Sequence, residues 1–128
     1  CLIESLKEIK IGAPISQIGK RIDKIANNNN FSVVRDFCGH GVGRNFHENP
    51  SILHYYDQEY DKIYFIDGMI FTVEPMINSG KYHSKILTDG WTAVTKDKTL
   101  SAQYEHTIYI NGDNIEILTE SPKGIFYN

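Results

Sequence analysis

A strand buried in a sheet has no room for a bare carboxylate, yet the two most strand-like runs of this chain each contain a glutamate. Met69-Ile70-Phe71-Thr72-Val73-Glu74-Pro75-Met76 and Ala102-Gln103-Tyr104-Glu105-His106-Thr107-Ile108-Tyr109-Ile110 have the β-branched and aromatic content of buried strands. Burying a charge is costly unless it is paired, hydrogen-bonded or bound to a cation. Any fold for this sequence must therefore supply Glu74 and Glu105 with partners. Pro75 also removes a ladder donor directly after Glu74, so the first strand is expected to be irregular there.

The segment Phe37–Pro50 is the second constraint. It gathers His40, His47 and Arg44 around glycines at 39, 41 and 43, and reads as too irregular for a core element. Glycine permits φ > 0 or a close backbone approach. The segment lacks the Lys-Ser or Lys-Thr pair of a phosphate-binding loop and the third glycine of a dinucleotide fingerprint. What remains is a backbone frame presenting two imidazoles, suited to metal ligation or to polarising a substrate carbonyl. A glycine-rich turn with two partly exposed histidines is the plainer alternative.

The 128 residues suit one ordinary domain, and 41% hydrophobic with 23% charged residues is a globular composition. A net charge of −3 without any block of Lys and Arg argues against nucleic acid as a partner. No apolar run approaches the ~20 residues that span a bilayer, so no membrane partner is expected. Cys1 and Cys38 cannot form a disulfide framework, which points to a reducing compartment. The start at Cys1, without initiator Met or leader, suggests a piece of something longer.

Leu2, Ile3, Leu6 and Ile9 predict a helix over Cys1–Lys10, stopped at Ile11-Gly12-Ala13-Pro14. Ser16 is expected to cap a second helix with Ile18, Ile22 and Ile25 as its apolar stripe and Lys20, Arg21, Asp23 and Lys24 facing water; the asparagines at 27–30 end it. Phe31–Val34 reads as a strand, Asn49-Pro50 as turn-like, Ile52–Tyr64 as a surface loop ending near a short edge strand, and Asp67-Gly68 as a turn. A loop or hairpin over Asn78–Asp89 precedes a strand at Gly90–Thr95, and Asn111–Asn114 is a hairpin turn into Ile115–Leu118. The end, Ser121–Asn128, carries no signal. No repeat or second domain is visible.

One histidine framed by glycines, His40, with two carboxylates in apolar strands, Glu74 and Glu105, is a ligand set for a hard or borderline divalent cation. A carboxylate can bridge two cations, which raises a two-metal hydrolase. The alternative is that either glutamate simply faces solvent.

The motifs Cys38-Gly39-His40-Gly41-Val42-Gly43-Arg44-Asn45-Phe46-His47-Glu48-Asn49-Pro50, Phe71-Thr72-Val73-Glu74-Pro75 and Asp89-Gly90-Trp91-Thr92 through Ser101-Ala102-Gln103-Tyr104-Glu105-His106-Thr107 resemble the later motifs of methionine aminopeptidase, type I. The match runs from Leu2 to about Thr119. The short run from Glu74 to Glu105 leaves no space for the helical insertion of the type II enzymes.

This resemblance implies an α+β fold: half of the pita-bread (creatinase/aminopeptidase) architecture, a curved antiparallel sheet with covering helices. Residues 1–128 would be the C-terminal portion of a single catalytic domain whose N-terminal half, with two aspartate ligands and a further active-site histidine, is absent. It implies metal ligation by His40, Glu74 and Glu105, the last bridging two divalent ions (Co, Mn, Fe or Zn). His47 would contact the scissile carbonyl, Glu74 would carry the proton, and Phe46 and Trp91 would wall the methionine pocket. The parent protein would remove N-terminal methionine from peptides and nascent chains, in the cytoplasm or in an organelle. The isolated chain is expected to be inactive and to self-associate. Two other readings stand beside this one: a non-catalytic pita-bread module that binds protein, and a prolidase-like peptidase.

Overall fold

The computed structural model describes residues 1–121; the terminal segment from which no signal was read lies, from residue 122 on, outside the described residues. Helix α1 spans Leu2–Leu6 and α2 spans Ser16–Asn28. The strands are β1 (Ser32–Val33), β2 (Gly39–Gly41), β3 (Glu48–Ile52), β4 (Ile70–Val73), β5 (Met76–Asn78), β6 (Ser84–Ile86), β7 (Ala93–Thr95), β8 (Ser101–Gln103), β9 (His106–Asn111) and β10 (Asn114–Ile117), with a 3₁₀ turn at Gln58–Lys62. All pairings are antiparallel. They form a five-stranded sheet in the order β10-β9-β4-β2-β3, a three-stranded sheet β1-β5-β8 and the β6-β7 hairpin.

The helices cover the five-stranded sheet because each element turns its apolar period inward. Leu2 and Leu6 of α1 and Ile18 and Ile22 of α2 join Ile52, Phe71, Val73, Ile108 and Ile110 in one core, as a 3.6-residue stripe meeting a period-2 strand face should. The first helix is shorter than its apolar spacing predicted, although Ile9 beyond its end is still buried. Ser16 is no cap. It is the first helical residue of α2 and is itself buried, and its hydroxyl instead donates to Asp61, tying the helix to the 3₁₀ turn. Arg21 and Asp23 do not simply face water either: Arg21 pairs with Glu4 at 2.9 Å, and Asp23 accepts the Tyr56 backbone N–H at 2.8 Å.

The glycine-rich segment is irregular over residues 42–47, as expected, but its two ends are strand. Gly39-His40-Gly41 is an inner strand of the large sheet, and Asn49-Pro50 lies within strand β3. Neither Gly39 nor Gly41 has a positive φ. They are needed because neighbouring backbone is too close for a side chain. A Cβ on Gly39 would sit 2.3 Å from the Thr72 carbonyl oxygen, and one on Gly41 2.4 Å from that of Asn49.

Both glutamate-bearing runs break, the first at the Glu74-Pro75 step where irregularity was expected, the second where one continuous strand was expected. The first divides into β4 and β5 around Glu74-Pro75, and the second into β8 and β9 around Tyr104-Glu105. The two breaks coincide: Val73 pairs with His106 in the large sheet, and Met76 pairs with Gln103 in the small one. The chain thus crosses between sheets twice at one place, with a glutamate at each crossing. Pro75, lacking an N–H, suits such a break.

Candidate metal and peptide site

His40 leaves the middle of β2 with its side chain only 13% exposed, and its Nε2 lies 3.7 Å from Oε1 of Glu74, whose side chain is 16% exposed. The tautomer follows from the other nitrogen. His40 Nδ1 is 2.9 Å from the Gly41 carbonyl oxygen, which can only accept, so Nδ1 carries the proton. In the neutral ring Nε2 then points a lone pair at a carboxylate. Two acceptors facing one another call for a proton or a cation between them.

Glu74 is held from two sides. Its Oε1 accepts from the Thr72 hydroxyl at 2.7 Å, and its backbone N–H donates to Nε2 of His54 at 3.0 Å. Burial pushes its carboxyl above the usual range; the Thr72 bond acts against this, and the nearby charge of Glu105 adds to it. His54 is 1% exposed, and burial lowers its pKa from 6.5 to about 4, so it stays a neutral acceptor.

Glu105 differs from expectation. It is exposed and lies in the gap between β8 and β9, so burial does not explain its place in an apolar run. Its position at the sheet crossing does, since it lies close enough to Glu74 to raise that residue's pKa. Among the described residues no three His, Cys, Asp or Glu side chains are arranged to hold a metal ion. The structure thus brings His40 and Glu74 together and leaves Glu105 as a neighbour rather than a third converged ligand.

His47 and Phe46 complete a cluster of rings on His40. The His40 and His47 ring centroids are 4.2 Å apart, Phe46 lies 4.7 Å from His47 and 5.4 Å from His40, and Phe46 is 71% exposed. Glu48 shapes the turn that presents them: its Oε1 accepts the Asn45 backbone N–H at 2.8 Å. A polar cleft lined by His40, His47, Asn45, Glu48, Asn49 and Ser51 opens beside the rings. Trp91 is 88% exposed on the β6–β7 connection, where Asp89 accepts its backbone N–H at 3.0 Å.

Donor chemistry fits a divalent cation, if only partly. An unprotonated imidazole nitrogen and a carboxylate oxygen that share a cation at bonds of ~2 Å lie roughly 3–3.5 Å apart, close to the separation seen here. Two converged donors are fewer than a closed protein site requires.

The sequence reading missed Thr72 and His54. Thr72 had a signal, since period 2 places it on the same strand face as Glu74. His54 sat in what read as a polar surface loop and had none.

The model of metallopeptidase family M24 matches residues 1–112. The chain is 53% identical over 115 residues to a protein named methionine aminopeptidase from Buchnera aphidicola subsp. Acyrthosiphon pisum, covering 90% of this chain and 43% of that one. Among solved structures, methionine aminopeptidase from Rickettsia prowazekii superposes with a TM-score of 0.86 at 45% identity, over 92% of this chain and 48% of that one. Prolidase from Pyrococcus furiosus shares the fold at a TM-score of 0.57 and 22% identity, over 94% of this chain and 31% of that one. These likenesses bear out the α+β pita-bread architecture. The chain spans less than half the length of the methionine aminopeptidases it matches.

Proposed function

Because the chain belongs to metallopeptidase family M24, we propose that it is the C-terminal portion of a methionine aminopeptidase catalytic domain, whose parent protein removes N-terminal methionine from peptides and nascent chains. The observation that carries this is the approach of His40 Nε2 to Glu74 Oε1, 3.7 Å apart, at the place where both sheets meet. The prolidase-like reading has only a fold likeness at 22% identity behind it. The protein-binding module gives no reason for an imidazole brought 3.7 Å from a partly desolvated carboxylate.

In this reading His40, Glu74 and Glu105 hold one side of a divalent-cation centre, with Co, Mn, Fe and Zn as candidates and two ions in the parent. When bound, the metal supplies Lewis-acid polarisation for peptide hydrolysis. The chain's own residues do the rest. His47, edge-on to His40 at the open cleft, donates to the carbonyl oxygen of the scissile bond. Glu74, whose carboxyl burial favours in the protonated form, takes and returns the proton. Phe46, exposed beside the two imidazoles, and Trp91, exposed on the β6–β7 connection, wall the methionine side chain.

The remaining ligands would come from the portion that the relatives carry before this one. A cavity of 630 Å³, lined by Leu2, Ile25, Phe31, Ile77 and Tyr104 and reaching Pro75 and Glu105, gives that portion, or in its absence a second copy, an apolar seat beside the site. No helix among the described residues is long and apolar enough to cross a membrane. The cytoplasm or an organelle stays our assignment for the parent protein.

Fragment complementation tests the proposal. The chain is refolded together with the N-terminal portion of the Buchnera relative, and methionine release from a methionyl tripeptide is followed with Co²⁺ or Mn²⁺. Release that needs both polypeptides and the metal is expected. A stable complex that releases none would contradict the assignment.

A further inference from the structure

We infer that Thr72 is a positioning residue for the cation pair: its single hydroxyl ties the backbone of His40 and the carboxylate of Glu74 into one arrangement before any ion arrives. This rests on reading His40 and Glu74 as cation ligands.

Thr72 is 2% exposed in the middle of β4. Its Oγ1 lies 3.0 Å from the His40 backbone nitrogen and 2.7 Å from Glu74 Oε1. With Glu74 ionised, the form that ligates a cation, the proton directions follow. A backbone N–H only donates, so Oγ1 accepts from His40; the hydroxyl has one proton to give, and an ionised carboxylate only accepts, so that proton goes to Glu74. Register makes this possible. Gly41 pairs with Phe71 in the antiparallel β2–β4 contact, which sets His40 beside Thr72, while Glu74 follows two residues on along the same face.

The remaining freedom of Glu74 is removed from behind by His54, which accepts its backbone N–H. Oε2 has only a long contact of 3.4 Å with Gln103 Nε2 and stays available to a ligand. Thr72 thus spends its one hydroxyl proton on Glu74 and an acceptor lone pair on His40, the two groups that face each other. A valine would keep the shape and lose both bonds, leaving the His40 N–H without its acceptor.

The test uses the 128-residue chain labelled with ¹⁵N, with T72V and T72S variants. Two quantities are read: hydrogen exchange of the His40 amide relative to that of Ile108, and Co²⁺ affinity by calorimetry. In T72V the His40 amide should exchange several-fold faster while Ile108 is unchanged, and Co²⁺ binding should weaken about tenfold or more, as for loss of other partners that orient metal ligands. T72S should restore both. A general packing defect would move Ile108 as well and would not be rescued by serine. Parental His40 protection and Co²⁺ affinity in T72V would overturn this inference alone. Failure of the parent chain to bind Co²⁺ at all would overturn the cation reading and this inference with it.

Discussion

The buried imidazole of His54 accepts the backbone N–H of Glu74 at 3.0 Å, so the corner of chain that bears the carboxylate is held from within the protein. Only a neutral ring can accept there. The folded pKa is about 4 against 6.5 for the free side chain, and the cause is burial. Between those values the unfolded chain binds a proton that the folded one refuses, so stability rises with pH across the window. His54 should contribute its full share above pH 6.5, and as pH falls toward 4 the fold should lose about 3 kcal/mol. Urea unfolding at a series of pH values checks this, alongside the His54 ring signals by NMR. A ring titrating near 6.5 in the folded chain would refute it.

Gly39→Ala should disturb the sheet where it carries His40. A methyl group 2.3 Å from the Thr72 carbonyl oxygen meets backbone rather than a yielding side chain. Overpacking of this kind costs about 1–3 kcal/mol. The urea midpoint should drop accordingly; an unchanged midpoint would show that β2 and β4 separate without penalty.

In the complemented enzyme, His47→Ala should lower turnover by about 10²–10⁴-fold, the usual worth of a positioned acid–base group. Metal content should stay at the parental level, because His47 meets the His40 ring edge-on without being assigned as a ligand. Metal loss with normal turnover per bound ion would make His47 a ligand instead.

The isolated chain should form a dimer or larger species, with the cavity beside Phe31 and Ile77 as its contact. Phe31 is 44% exposed in its wall. Light scattering should give a mass above that of one chain, and Phe31→Lys should reduce it. A monodisperse monomer in the unsubstituted chain would remove the groove as an association surface.

Much of this was legible in the sequence, because helix stripes, turns and motif residues are local signals. Ile18 and Ile22 announced the buried face of α2, Gly68 and Gly112 the turns, and the sequence singled out His40 and Glu74, which the fold brings to within 3.7 Å of each other. Three features were not legible. That Gly39 and Gly41 build a strand could not be read, because their requirement comes from carbonyls of Thr72 and Asn49 on other strands. The breaks at Glu74 and Glu105 looked like anomalies inside strands, since one-dimensional pattern does not show that two sheets meet there. His54 is buried by tertiary packing alone, and its neighbours gave no period to predict it.

The central claim is that His40 and Glu74 form one side of a divalent-cation site, and Co²⁺ titration of the isolated chain by calorimetry tests it most directly. The account predicts a single weak binding event that disappears in Glu74→Gln, with no methionine released from a peptide. Binding that survives unchanged in Glu74→Gln, or two tightly held ions accompanied by methionine release from the chain alone, would contradict it.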